Sequence, residues 1–210
     1  NAGLSLRRGQ AQYRMGDYPA ALRSFVQTDS AFWRGNALFR LGRYAEALRA
    51  FQTALAKPGE EQALAHFNAA QTQLVLKQYA LALDLYRQIL LQTPDHPQAK
   101  LGLAQSLLEL REYTEAITVL QDLTMDNRVA REARYLLGLA YLQTGALNEA
   151  VPLLERAAQE GPYFKEALRS LVRANRRLGF QQRADIYEQQ LARFQWQAKR
   201  LHTYFLEDTH

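Results

Sequence analysis

Small and apolar residues recur along this chain at a long, nearly constant interval. Alanine stands at Ala21, Ala47, Ala82, Ala116, Ala150 and Ala184, with spacings of 26, 35, 34, 34 and 34 residues. Four residues after the middle members come Phe51, Tyr86, Leu120 and Leu154, the step of one helix face. A second series, Gly9, Gly35, Ala70, Ala104, Gly138 and Val172, lies one helix earlier, and five of its six members are Gly or Ala. The two series predict pairs of helices that cross at small residues, where a large side chain would hold the backbones apart. Turn residues fall between them: Met15-Gly16-Asp17-Tyr18-Pro19, Leu41-Gly42-Arg43-Tyr44, Gly145 and Gly179. Pro19 sits in the first turn of a helix, where its missing donor costs nothing. Arg111 stands where the pattern calls for Gly, and Glu188 where it calls for an aromatic.

Within residues 133–162 the order is Leu137-Gly138, Tyr141, Gly145, Ala150, Leu154 and Pro162. This resembles the tetratricopeptide pattern of L-G-x-x-Y, a small residue in the second helix, and a closing Pro. The resemblance implies an all-α fold: a right-handed α-α superhelix of about six helix-turn-helix repeats. The units fall at about 3–28, 29–60, 61–96, 97–130, 131–162 and 163–194, in a single solenoid over 1–210. A terminal unit has no neighbour to bury its face, so residues 195–207 are expected to form a capping helix, with Trp196, Leu201, Tyr204 and Phe205 as contacts. The first interval lacks eight residues. The loss is expected at the end of the second helix of unit one, with Asp29 or Ser30 capping the next helix.

Composition narrows the classes. Hydrophobic residues make 48% of the 210, enough for a core and too many for a disordered chain. Helix formers dominate while Val, Ile and Thr are sparse. There is no Cys, which excludes disulfide scaffolds, thiol catalysis and thiolate zinc sites. No apolar run reaches the roughly 18 residues of a membrane helix. The formal charge is +5, and residues 165–210 hold nine Lys/Arg against five Asp/Glu. The chain begins at Asn1, so a removed N-terminal segment is expected.

Catalytic signatures are missing. His66, His96, His202 and His210 do not fall at ligand spacing, and no H-E-x-x-H, G-x-S-x-G, P-loop or G-x-G-x-x-G occurs. The four histidines are expected on the surface or partly packed. No enzyme activity, cofactor or metal is expected. Nucleic acid is not expected either, because the basic residues cluster at one end without interleaved aromatics.

Binding remains. First helices of successive units line the inner face of a solenoid. Helical spacing puts Phe32, Asn36, Phe39 and Arg40 on that face, then Phe67, Asn68 and Gln71, then Leu101 and Gln105, then Tyr135 and Leu139. Exposed apolar residues suggest a partner, and amides hydrogen-bond a peptide backbone. The other reading of the aromatics is packing against the next helix. Arg169, Arg173, Arg176 and Arg177 share one face of one helix. They form either a site for an acidic partner or a solvated face neutralised by carboxylates such as Glu166.

One variant of the tetratricopeptide family clamps a C-terminal carboxylate. Asn36 and Asn68 match its two Asn positions, but Phe32, Gln98 and Gly102 stand where cations should be, which excludes that clamp. The segment from Phe32 to Tyr44 (FWRGNALFRLGRY), with His66-Phe67-Asn68-Ala69-Ala70, resembles the repeats of bacterial Bat-type proteins, which join a von Willebrand A domain and membrane helices to a periplasmic repeat segment. The resemblance covers about residues 8–100. It implies a protein-interaction scaffold in a bacterial envelope or multiprotein assembly, periplasmic or membrane-associated, with the cytoplasm left open. A self-assembling homo-oligomeric scaffold is the alternative.

Overall fold

The protein's structure is a computed structural model that describes residues 2–56, 60–159 and 164–207, with the side chains of Glu60 and of 195–207 left aside. Twelve α-helices and no strand occur among the described residues. In pairs they are α1 (Ala2–Arg14) and α2 (Tyr18–Val26), α3 (Ala31–Arg40) and α4 (Tyr44–Leu55), α5 (Glu60–Val75) and α6 (Tyr79–Gln92), α7 (Pro97–Glu109) and α8 (Tyr113–Leu123), α9 (Ala130–Thr144) and α10 (Leu147–Gln159), and α11 (Phe164–Arg177) and α12 (Gln181–Glu207).

The chain divides into two compact units, residues 1–110 and 111–210. Inside the first, each helix packs on the next, and the leading helix of a pair also touches the leading helix that follows, α3 on α5 and α5 on α7. Inside the second, packing is again consecutive, and α9 touches α11. This is solenoid packing, in which each element meets only its neighbours.

The pairs close where small meets large, with the two residues sixteen apart. A Cβ on Gly9 would lie 2.5 Å from Phe25, and one on Gly35 would lie 2.6 Å from Phe51. In the second unit a Cβ on Gly138 would lie 2.9 Å from Leu154. Phe25, Phe51 and Leu154 are fully buried, and each such side chain contributes roughly 1.5–3 kcal/mol. Tyr86 has Ala70 sixteen residues before it, and Gly102 of α7 also lies against its ring. Burial pushes the Tyr86 phenol well above its ordinary pKa.

Two turns break the glycine rule without changing shape. Lys77 and Arg111 hold φ of 60° and 65°, the left-handed conformation that Gly16, Gly42, Gly145 and Gly179 adopt in the other pairs. At Lys77 the turn geometry is dictated by the packed pair α5 and α6, and a non-glycine residue in that conformation carries a cost.

The short first interval is explained by two losses rather than one. α2 ends five residues after Ala21, whereas α4 runs eight beyond Ala47 and α6 ten beyond Ala82. α3 starts only four residues before Gly35, whereas α9 starts eight before Gly138. Ser30 caps α3, accepting from the Trp33 amide at 3.4 Å.

The C-terminal end differs from expectation. Residues 181–207 form one unbroken helix, so there is no separate capping helix at 195–207. No Gly or Pro occurs near 195 to interrupt a chain of good helix formers. Phe194 packs on Phe164 at 5.1 Å between ring centres, and Lys165 lies over the Phe194 ring. The expected cap contacts Trp196, Leu201, Tyr204 and Phe205, and the closing residues Pro58 and Pro162, fall outside the described side chains.

Gly35→Val will cost about 1–3 kcal/mol through overpacking against Phe51, whereas Lys77→Gly will gain up to about 1 kcal/mol by relieving positive φ. Urea midpoints that move in opposite directions for the two variants check this.

Candidate functional site

In the first unit, Asn36 on α3 and Asn68 on α5 are brought together. Asn68 Nδ2 donates to Asn36 Oδ1 at 2.6 Å, between residues thirty-two apart in sequence. The α3–α5 contact positions them, and Gly35 beside Asn36 and Ala69 and Ala70 beside Asn68 are buried. Both amides are half-buried. Each spends one polar atom on the other, which leaves one amide donor and one amide acceptor outside the pair. Those are the groups that a peptide C=O and N–H require. Gln71 is exposed one turn further along α5, and Gln105 on α7 is half-buried.

Phe67 precedes Asn68 and is also half-buried. Its ring stacks on His96 at 5.3 Å and 23°, and meets Tyr86 edge-on at 6.1 Å. A cavity of about 330 Å³ opens here between α5, α6 and the start of α7. Phe67, Ile89 and Leu64 supply apolar walls, and His66, His96, Gln92 and Gln98 supply polar ones. His96 is fixed by capping α7: its Nδ1 accepts from the Ala99 amide at 3.2 Å. That assignment puts the proton of the neutral ring on Nε2.

Other expected groove residues serve the fold. Phe32 and Leu101 are buried, 6% and 7% exposed, and belong to the core. Phe32 lies 5.6 Å from Trp33 and 6.3 Å from Phe51, ring to ring. Each stands three residues before its small marker, and Phe32 packs on Phe51 of α4 instead of facing outward. Phe39 meets Tyr44 edge-on at 5.3 Å, and the Arg40 guanidinium covers Tyr18 at 4.7 Å.

In the second unit, Tyr135 and Leu139 on α9 are half-buried and pack on the cluster around Leu168 and Leu171. Burial raises the Tyr135 phenol pKa; Glu166 adds to the rise and Arg173 opposes it. The four arginines of α11 do not act together. Arg177 Nη1 donates to the Leu142 carbonyl at 2.6 Å, a cation on the C-terminal turn of α9. Arg176 pairs with Glu188 of α12 at 2.7 Å. Glu188 fills the position that holds a buried ring or Leu in other pairs, so an exposed ion pair replaces apolar packing there. Arg169 and Arg173 stay exposed, with Arg173 donating to Ser170 at 3.1 Å. Within this row Glu188 is ion-paired with Arg176 alone.

Three features escaped the sequence reading. His66 and His96 line a cavity, although His-Pro at a helix start hinted at a cap. Arg176 and Glu188 are ion-paired across twelve residues. Arg177 is a helix clamp. Among the described residues no group of three or more His, Cys, Asp or Glu is placed to hold a metal, and no helix is long and apolar enough to cross a membrane.

A family model described as "Tetratricopeptide repeat" matches residues 34–97, 78–127 and 101–163. No curated protein matches the chain. Among solved structures, MamA from Desulfovibrio magneticus RS-1 (residues 41 to the end) is similar with a TM-score of 0.71 and 21% identity, over 80% of this chain and 97% of that one. Another MamA crystal structure gives 0.67 and 22%, over 79% and 96%. YrrB, described as a TPR protein with an unusual peptide-binding site, gives 0.60 and 20%, over 75% and 80%. At these identities the likeness shows the fold.

Arg177→Ala will lower stability by about 1 kcal/mol through loss of the bond to the α9 terminus, whereas Arg169→Ala will change it by less than about 0.5 kcal/mol. Denaturant midpoints of the two variants check this.

Proposed function

Because this chain belongs to the tetratricopeptide repeat family, we propose that it is a protein-interaction scaffold whose first unit holds an extended partner peptide along the leading helices. The observation that carries this is the Asn36–Asn68 pair, which leaves one donor and one acceptor for a peptide group. Phe67 and its cavity receive an apolar side chain of the same peptide, and Gln71 and Gln105 continue the amide row. Phe39 and Arg40 form the edge of this surface. The description of YrrB as having a peptide-binding site supports the reading. In the second unit Tyr135 and Leu139 offer a matching apolar strip, and Arg169 with Arg173 receives an acidic part of the partner. Arg176 and Arg177 contribute charge there only through the helix contacts they hold. The likeness of the Phe32–Tyr44 segment to Bat-type repeats supports an assembly in a bacterial envelope.

Photo-crosslinking from Gln71 in cells, followed by mass spectrometry, will identify the bound segment. Calorimetry with that segment should then show Asn36→Ala with Asn68→Ala losing about 1–3 kcal/mol of affinity, with an unchanged melting temperature. Undiminished affinity refutes the groove. Crosslinks only to this chain, with sedimentation that grows with concentration, favour a self-assembling scaffold instead.

A further inference from the structure

The shortened first pair leaves an opening that the other pairs of its unit lack a reason to have. α2 stops at Val26 and α3 begins only at Ala31, so part of the surface that a longer α2 would cover is bare. A cleft of about 370 Å³ lies there between α2, α3 and α4. Its floor is Leu22, Leu38 and Ala50, and Val26 stands at its edge, 63% exposed. Arg34, Arg43 and Arg49 surround it with one carboxylate, Glu46. Glu46 is already held by Arg43 through two bonds of 2.7 Å. The bond from Arg43 lowers the Glu46 carboxyl pKa and Arg49 adds its charge, and neither Arg34 nor Arg49 forms a salt bridge with a described residue. Arg34 and Leu38 lie two residues either side of Asn36, which puts them on the opposite face of α3. The cleft is therefore separate from the amide pair and does not depend on the function proposed for it.

We propose that this cleft is a second docking surface, taking a short acidic amphipathic helix from a partner protein. α2 ends three to five residues sooner after its alanine than α4 and α6 do, about one helical turn, so a short helix suffices to fill the cleft. A partner helix of that size covers the cleft between α2, α3 and α4. Its apolar stripe covers Leu22 and Val26, above the already buried Leu38 and Ala50. Its carboxylates meet Arg34 and Arg49 in the forked geometry that Arg43 already makes with Glu46. Three guanidiniums against one carboxylate set the sign of the partner.

The test uses the full chain and fluorescence anisotropy. The probe is a labelled helical peptide with Leu at i, i+3, i+4 and i+7 and Glu on the flanks; a copy with Lys for Glu is the control. The acidic peptide should bind, more weakly as salt rises, and the Lys copy should not. Arg34→Glu with Arg49→Glu should weaken binding at least about tenfold. Arg34→Gln with Arg49→Gln, a neutral change of similar length, should weaken it in the same direction should the first variant fail to fold. Asn36→Ala with Asn68→Ala should leave it within about twofold, which separates failure here from failure of the groove. Equal binding of both peptides, no binding of the acidic one, or affinity unchanged in the Gln variant overturns the proposal. So does capture of phosphatidylserine vesicles through Arg34 and Arg49 in place of the peptide.

Discussion

Where two helices of a pair cross, one of them presents almost no side chain and the other presents a ring or a leucine. Gly35 against Phe51 shows the constraint: the ring lies where a β-carbon would be. Close approach lets the large residue be fully enclosed by two helices of only three or four turns. Neither helix would be stable alone at that length. The crossing therefore does more than decorate a fold that exists without it. It supplies the burial on which each hairpin depends, and the turn between the helices has to comply. Lys77, between α5 and α6, sits at positive φ for that reason.

The same constraint explains what happens where it lapses. In the last pair Val172 and Glu188 occupy the small and large positions, and no ring is available to be enclosed. Arg176 answers Glu188 with an ion pair on the surface. Exposed pairs contribute little, so this pair relies on Leu168, Leu171 and the α10 contact, including the hydrogen bond that Tyr187 donates to Glu155 at 2.6 Å. Desolvation first and Glu155 second push the Tyr187 phenol up to about 12. α12 then runs on past the pair without a break.

The crossings leave other positions of each helix over. Once the small and large positions are spent, the leading helices retain one stripe free of intra-pair packing. On α3 and α5 that stripe carries amides, which pair across the helices and keep hydrogen-bonding capacity in reserve. On α11 it carries arginines, two of which are spent on neighbouring helices. On the opposite face of α3 an apolar floor lies beside the guanidiniums of Arg34, Arg43 and Arg49.

The helical class, the pairing of helices and the crossing points were all written in the spacing of Ala21 to Ala184 and of Gly9 to Val172, because packing two backbones closely demands small side chains at fixed places. A cap at Asp29 or Ser30 and an irregular turn at Arg111 were legible for the same local reason, and the structure chose Ser30. Tertiary structure alone decided which stripe residues face outward. Phe32 and Phe67 hold equivalent positions in the repeat, yet the first is enclosed between Trp33 and Phe51 while the second borders a cavity with His96. It also decided that Arg176 and Arg177 would be engaged and Arg169 not, and that Asn36 would meet Asn68. Periodicity states which face of a helix a residue occupies; how far that face is covered depends on the length and contacts of helices that arrive from elsewhere in the chain.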